Sequence, residues 1–271
     1  MMKREPNYRP AEPLWRRKRP EYVRPPCERI WRRRPIEPVR MVWANVIAWA
    51  THNSGASTNQ VVLTGVTAGH LIVIMTRFGS NAVLASPAVD DDKGNTYTAA
   101  TAAAGTNSSL TQKLAAHYAY NVASGTTTVT VHFDVAPTIG SDVFSATFSG
   151  GDATDPFDVA AYANGSAANP TSGTVTVASA NSLAISQSGV GANPLQTAGT
   201  GSTFTRRSTA QNYWNDAVED DTAIASGSKA GLWDHAATNW QANFVVFKLP
   251  AAGGGGLVYD PGWYNRHLLV R

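Results

Sequence analysis

From about residue 41 to residue 250 the chain does not sustain the three-to-four-residue apolar spacing of a packed helix, apart from a short stretch near 109–116. Short runs rich in Val, Ile, Thr, Phe and Tyr alternate instead with clusters of Gly, Asn, Asp and Ser, the pattern of a multi-stranded β architecture. Candidate strands are 43–51, 60–66, 70–78, 95–102, 112–121, 126–133, 141–149, 157–164, 173–178, 182–189, 203–208, 211–218, 222–226 and 241–249. In Val129-Thr130-Val131-His132-Phe133 the alternation predicts one buried and one wet face, and residues 173–178 do the same through Val175 and Val177. Leu71-Ile72-Val73-Ile74-Met75 is apolar on both faces and is expected to be a central strand. The expected fold is all-β, a jelly-roll-like β-sandwich over 41–250. The low charged fraction of 15% and the 23 glycines agree with it and disfavour a helical bundle or coiled coil.

A chain of 271 residues can bury a sizeable core without staples. Its single cysteine, Cys27, excludes an internal disulfide framework and a multi-cysteine zinc site. No apolar run approaches the roughly 18 residues of a membrane-spanning helix. The apolar stretch Met41–Ala50 lies too far inside the chain for a secretory leader and is expected to be the first strand of the body.

Charge divides the chain. Residues 1–40 hold thirteen Lys and Arg against five Glu, a net charge of +8, whereas the other 231 residues hold nine against fourteen, a net charge of −5. Such asymmetry points to a partner with negative potential. The arm repeats itself: Glu12-Pro13-Leu14-Trp15-Arg16-Arg17 returns as Glu28-Arg29-Ile30-Trp31-Arg32-Arg33, each followed closely by Arg-Pro. Eight prolines in this segment favour extended or polyproline II backbone over helix.

Two active roles compete for the arm. Nucleic-acid binding would put Arg on phosphates and stack Trp on bases. Protein docking would seat Trp15 and Trp31 in equivalent pockets while Arg16, Arg17, Arg32 and Arg33 pair with acids. The regularly placed glutamates and the aliphatic residue before each Trp favour docking; a passive solvated tail is the third reading. At the other end Gly253–Gly256 forms a hinge before an apolar peptide containing Trp263 and Tyr264, read either as a second docking segment or as a last strand folding back on the body. The domain expectation is therefore an arm (1–40), a sandwich (41–250) and a linker with a peptide (251–271).

Ala68-Gly69-His70-Leu71-Ile72-Val73, Val89-Asp90-Asp91-Asp92-Lys93-Gly94-Asn95-Thr96-Tyr97 and His117-Tyr118-Ala119-Tyr120-Asn121 occur in that order. Phe148-Ser149-Gly150-Gly151 with Asp155-Pro156-Phe157-Asp158, and Trp240-Gln241-Ala242 with Phe244-Val245-Val246-Phe247-Lys248, complete the series. Together they resemble a β-sandwich domain of tailed-phage virion proteins and bacterial surface proteins, over roughly 42–250. That family usually carries an acid after the Ala-Gly, where this chain has His70, so a role tied to that acid does not transfer. The resemblance implies a structural module: a virion component, with capsid decoration first and a neck or tail position next. The implied partners are a major capsid protein or other virion proteins and further copies of the chain on the particle. Nucleic acid ranks behind these, and no membrane is expected.

Little in the residues points to catalysis. The six histidines are scattered, with neither metal-ligand spacing nor a nucleophile elbow, and no cofactor or metal is expected. Asp90-Asp91-Asp92-Lys93-Gly94-Asn95 offers oxygen ligands but lacks a distal Glu, so a tight turn is expected. Asp152, Asp155 and Asp158, and Glu219, Asp220 and Asp221, are read as turns too. Aromatic and amide residues suggest an alternative, a glycan-binding adhesin. Tyr213 and Trp214 are its main candidates, with Trp233, Trp240, Asn212, Asn215 and Asn239 beside them, although core packing accounts better for Trp240.

Overall fold

The computed structural model describes residues 42–43, 48–50, 56–191, 196–207 and 216–250. Its strands are β1 (Val42–Trp43), β2 (Ala48–Ala50), β3 (Thr58–Val66), β4 (Leu71–Gly79), β5 (Leu84–Asp91), β6 (Thr98–Ala99) and β7 (Gly105–Asn107). They continue as β8 (Gln112–Ala119), β9 (Gly125–Phe133), β10 (Ser141–Ser149), β11 (Phe157–Gly165), β12 (Val175–Val177) and β13 (Ser182–Val190). The last are β14 (Thr197–Ala198), β15 (Thr205–Arg206), β16 (Ala217–Ile224), β17 (Gly227–Lys229), β18 (Trp233–Asp234) and β19 (Trp240–Phe247). One 3-10 turn, Thr101–Ala103, is the only helical element among the described residues.

The fold is an all-β sandwich of antiparallel sheets. A central sheet runs β1-β10-β4-β8-β6, with β2 also on β10 and β7 also on β8. One of its faces meets the five-stranded sheet β11-β19-β13-β16-β15, and the other meets the three-stranded sheet β3-β9-β5. Strand periodicity assigns the faces. Leu71, Val73 and Met75 of β4 pack with Phe144, Phe148, Ile185, Val245 and Phe247. Ile72, Ile74 and Phe78 pack with Val61, Leu63, Val129 and Val131. All nine residues of β4 are buried, as expected for a central strand with apolar residues on both faces.

The five-stranded sheet is covered on its outer side as well. Val175 and Val177 of β12 and Phe204 pack on Ala184, Phe244 and Val246, and Trp233 of β18 packs on Val190, Ala217, Trp240 and Ala242. The two small ribbons β12–β17 and β14–β18 thus form a further layer, and β13 and β19 are buried along their whole length. The serines of β13 that face outward are accordingly dry: Ser186 Oγ donates to the Asn243 carbonyl at 2.9 Å and accepts Trp233 Nε1–H at 3.0 Å.

Several expectations need correction. Asp158, read as part of a turn, lies within β11, and of the strand expected over 95–102 only Thr98–Ala99 is one. Strand β5 was not anticipated, because Pro87 interrupts its pattern. It lies at a sheet edge with a register shift between Leu84 and Val89, where a residue without an N–H costs no ladder bond. Glu219, Asp220 and Asp221 do not form a turn; they lie within β16, with Glu219 and Asp220 buried. Hydropathy reads three consecutive acids as solvated, and here neighbours and protonation make their burial tolerable.

Phe144 is fully buried between the central and five-stranded sheets. Phe144→Ala is expected to cost about 3–5 kcal/mol in urea unfolding. Val62→Ala, on the half-exposed face of β3, should stay within about 0.5 kcal/mol of the parent.

Candidate functional site

Trp15, Arg16, Arg17, Trp31, Arg32, Arg33, Tyr213, Trp214, Trp263 and Tyr264 lie outside the described residues, as do Asn212 and Asn215. Two of the further aromatic candidates are described and are core residues. Trp233 is 1% exposed with its indole N–H on Ser186, and Trp240 is buried beside it. Neither can offer a ring face to a sugar.

Asp91 and Asp152 are spent on their own turns, and Asp155 and Asp158 on more distant partners. Asp91 Oδ1 accepts the amides of Lys93 and Asn95, both at 3.0 Å, while Oδ2 accepts Asn95 Nδ2 at 2.7 Å and the Tyr97 hydroxyl at 2.8 Å. That is an Asx-type turn closed by its own tyrosine. Burial, then the bond to Asp91, raises the Tyr97 phenol far above its usual range. Asp152 Oδ1 caps the next loop through Thr154 N, Thr154 Oγ1 and Asp155 N, which lowers its carboxyl. Asp158 Oδ2 accepts Ala178 N at 3.0 Å, and Asp155 pairs with Lys248 at 2.7 Å.

The densest concentration of chemistry lies between the central and five-stranded sheets. Along β4 the residues facing the five-stranded sheet run Leu71, Val73, Met75 and then Arg77; along β10 they run Phe148, Ala146, Phe144 and then Asp142. The interface is therefore apolar over one part and polar over the other. Arg77 Nε donates to Gln112 Oε1 of β8 at 2.7 Å, and NH1 lies 2.8 Å from Asp216 Oδ1 and 3.9 Å from Asp142 Oδ2. None of these three charged side chains is more than 2% exposed. Gly189 of β13 makes room for them: a Cβ there would stand 3.1 Å from both Arg77 Nε and Asp216 Oδ1. Further amides extend the polar part. Gln241 Nε2 donates to Gln112 Oε1 at 3.5 Å, Asn107 Nδ2 to the Trp240 carbonyl at 2.7 Å, and Asn243 Nδ2 to the Ala103 carbonyl at 3.1 Å.

One guanidinium serves two carboxyls here. Burial pushes Asp216 well above the usual carboxylate range, Arg77 opposes the shift and Asp142 reinforces it. The cluster thus sets one cation against two carboxyl groups, of which Asp216 resists ionisation, and this limits the charge the interior must hold. With every member buried, the arrangement clamps two sheets and offers a dissolved substrate no reacting face. Its one sequence signal is an arginine two residues beyond the apolar run 71–75 of a central strand.

Two other buried groups carry perturbed protonation. Glu219 of β16 is pushed up to about 9, first by burial and then by Asp220, while the Leu232 backbone and Arg206 oppose the shift. Asp220 itself pairs with Arg207. His117 of β8 is pushed down to about 4 by burial. Among the described residues no group of three or more His, Cys, Asp or Glu is placed to hold a metal ion. No family model, curated protein or solved structure matches the chain.

Removing the cation should expose the cost of the carboxyls it serves: Arg77→Met is expected to lose about 3–5 kcal/mol in urea unfolding. Glu219 gives a pH test. Its folded value lies above its unfolded one, so the folded state binds more protons between about pH 4.5 and 9, and stability falls as pH rises through that window. Glu219→Gln removes this slope, while His117 is common to both proteins and cancels. The Gln variant should gain on the parent by up to about 1.4 kcal/mol per pH unit from pH 5 to 9, read as the difference between paired melts.

Proposed function

We propose that the chain is a non-enzymatic structural protein of a tailed-phage virion, a capsid decoration protein that docks through residues 1–40 and presents the β-sandwich on the particle. The observation that carries this reading is the duplicated Glu-x-[Leu/Ile]-Trp-Arg-Arg motif on an arm of net charge +8, joined to 231 residues of net charge −5. Two tethered copies raise the effective concentration of the second contact, so a weak pocket used twice gives firm attachment. Trp15 and Trp31 act as anchors, and the arginines that follow them pair with acids on shell subunits.

The body supports the reading through what its charges are used for. Asp91 and Asp152 hold turns, Asp158 of β11 ties down the Ala178 amide, and Arg77, Asp142 and Asp216 clamp two sheets, the economy of a scaffold. The ordered set of motifs over 42–250 supports placement among virion modules, and the apolar peptide around Trp263 and Tyr264 is a second contact for the same shell.

Trp15→Ala combined with Trp31→Ala should release the protein from particles while leaving its thermal unfolding unchanged, read by co-sedimentation beside a melt. A double variant that still decorates particles like the parent would exclude the docking role.

A further inference from the structure

The sandwich has two ends, and the chain enters and leaves it at the same one. Strand β1 enters with Val42 opposite Ser149, the last residue of β10, and β1 and β2 run back along that strand. Strand β19 leaves at Phe247, and the next residue is tied to the loop that follows β10: the Lys248 amide donates to the Pro156 carbonyl at 2.7 Å, and its carbonyl accepts the Asp152 amide at 3.1 Å. One loop, 150–156, therefore lies beside both the entry and the exit. The turns 67–70 and 120–125 share this end, joined by the Gly69 amide on the Val122 carbonyl at 2.9 Å. The turns 79–83, 108–111 and 134–140 form the opposite end, held by the Gly79 amide on the Gly140 carbonyl at 3.2 Å and the Ser80 amide on the Thr111 carbonyl at 2.8 Å.

Each end exposes apolar side chains. At the entry end Tyr120 is 38% exposed, and its ring stacks on Tyr118 with centroids 6.4 Å apart. Tyr118 in turn stacks on Phe157 at 5.7 Å and meets Phe247 edge-on at 5.3 Å. A surface tyrosine backed by a packed aromatic stack offers contact area at little further cost in rotamer freedom. The opposite end shows Val83 and Val135, 50% and 47% exposed, whose amides both donate to Asp134 Oδ1 at 2.8 Å. Exposure alone does not choose between the two ends. The path of the chain does.

We propose that the Tyr120 end of the sandwich rests on the same shell that the arm and the C-terminal peptide grip, with the Val83 and Val135 end turned outward. The orientation rests on the docking role proposed for those two segments. Trp31 lies eleven residues before Val42 and Trp263 thirteen after Pro250, so each anchor has a contour of at most about 40–45 Å to the body. Strand β10, nine residues long, spans about 27 Å from one end of the sandwich to the other. With both anchors on one surface, turning the opposite end to that surface would make both segments double back along the sandwich and use more than half of their contour. The entry end is thus held at the higher effective concentration near the shell, and Tyr120 is the side chain there suited to contact it.

Co-sedimentation of the full chain with DNA-emptied phage shells tests it. Tyr120→Ala should weaken binding about tenfold, as loss of an interface aromatic does, while Val135→Ala should bind like the parent. Should Tyr120→Ala fail to fold, two single-cysteine proteins built on Cys27→Ser take its place, with Ala153→Cys in the entry-end loop and Ser109→Cys at the opposite end, both at exposed positions. Binding to shells should slow maleimide labelling of the first and leave that of the second unchanged. Parent-like binding of Tyr120→Ala, a loss confined to Val135→Ala, or Ala153→Cys labelled no more slowly than Ser109→Cys would each overturn the orientation. A parent chain that does not pellet would remove the docking role itself, and the orientation with it.

Discussion

The contact between Arg77 and Asp216 joins the two sheets on which the rest of the body is assembled. A guanidinium on the central sheet reaches a carboxyl that leads into β16 of the five-stranded sheet, with a second carboxyl from β10 and an amide from β8 at the same place. Apolar packing alone would let the two sheets settle at several registers, since dispersion and the hydrophobic effect carry little direction. A buried guanidinium–carboxyl contact seated against Gly189 favours one register of the two sheets. Its contribution is therefore argued as one of uniqueness more than of net stability, because replacing buried pairs by apolar residues is often neutral or better.

The layers on either side follow from the same logic. Once the central and five-stranded sheets are fixed, each has a second face to cover, and the chain supplies the three-stranded sheet for one and two short ribbons for the other. The covers are unequal. The ribbons bury β13 and β19 completely, whereas under the three-stranded sheet Lys113 of β8 stays part-exposed.

Much of this architecture was legible in the sequence where a strand's burial agreed with its hydropathy. The unbroken apolar run of β4 announced a central strand, and the alternation of β9 announced a half-buried one. Legibility failed where polar residues are buried. The serines of β13 and the acids of β16 read as wet positions, and only partners distant in sequence, such as Trp233 above Ser186 or Arg207 beside Asp220, make their burial tolerable. Short ribbons such as β17 and β18 carry too few residues to show a period. The sequence-expected docking residues Trp15, Trp31 and Trp263 lie outside the described residues, so their reading rests on motif duplication and charge.

The proposed function divides the labour between an arm that attaches and a body that is displayed, and that division can be measured directly. The full-length chain and a truncation comprising residues 41–271 are sedimented with DNA-emptied phage shells, with free DNA as competitor. Pelleting of the full-length chain alone, undiminished by DNA, is the predicted result. Binding of the truncation to the same extent, or loss of full-length binding to DNA, would contradict attachment through the arm.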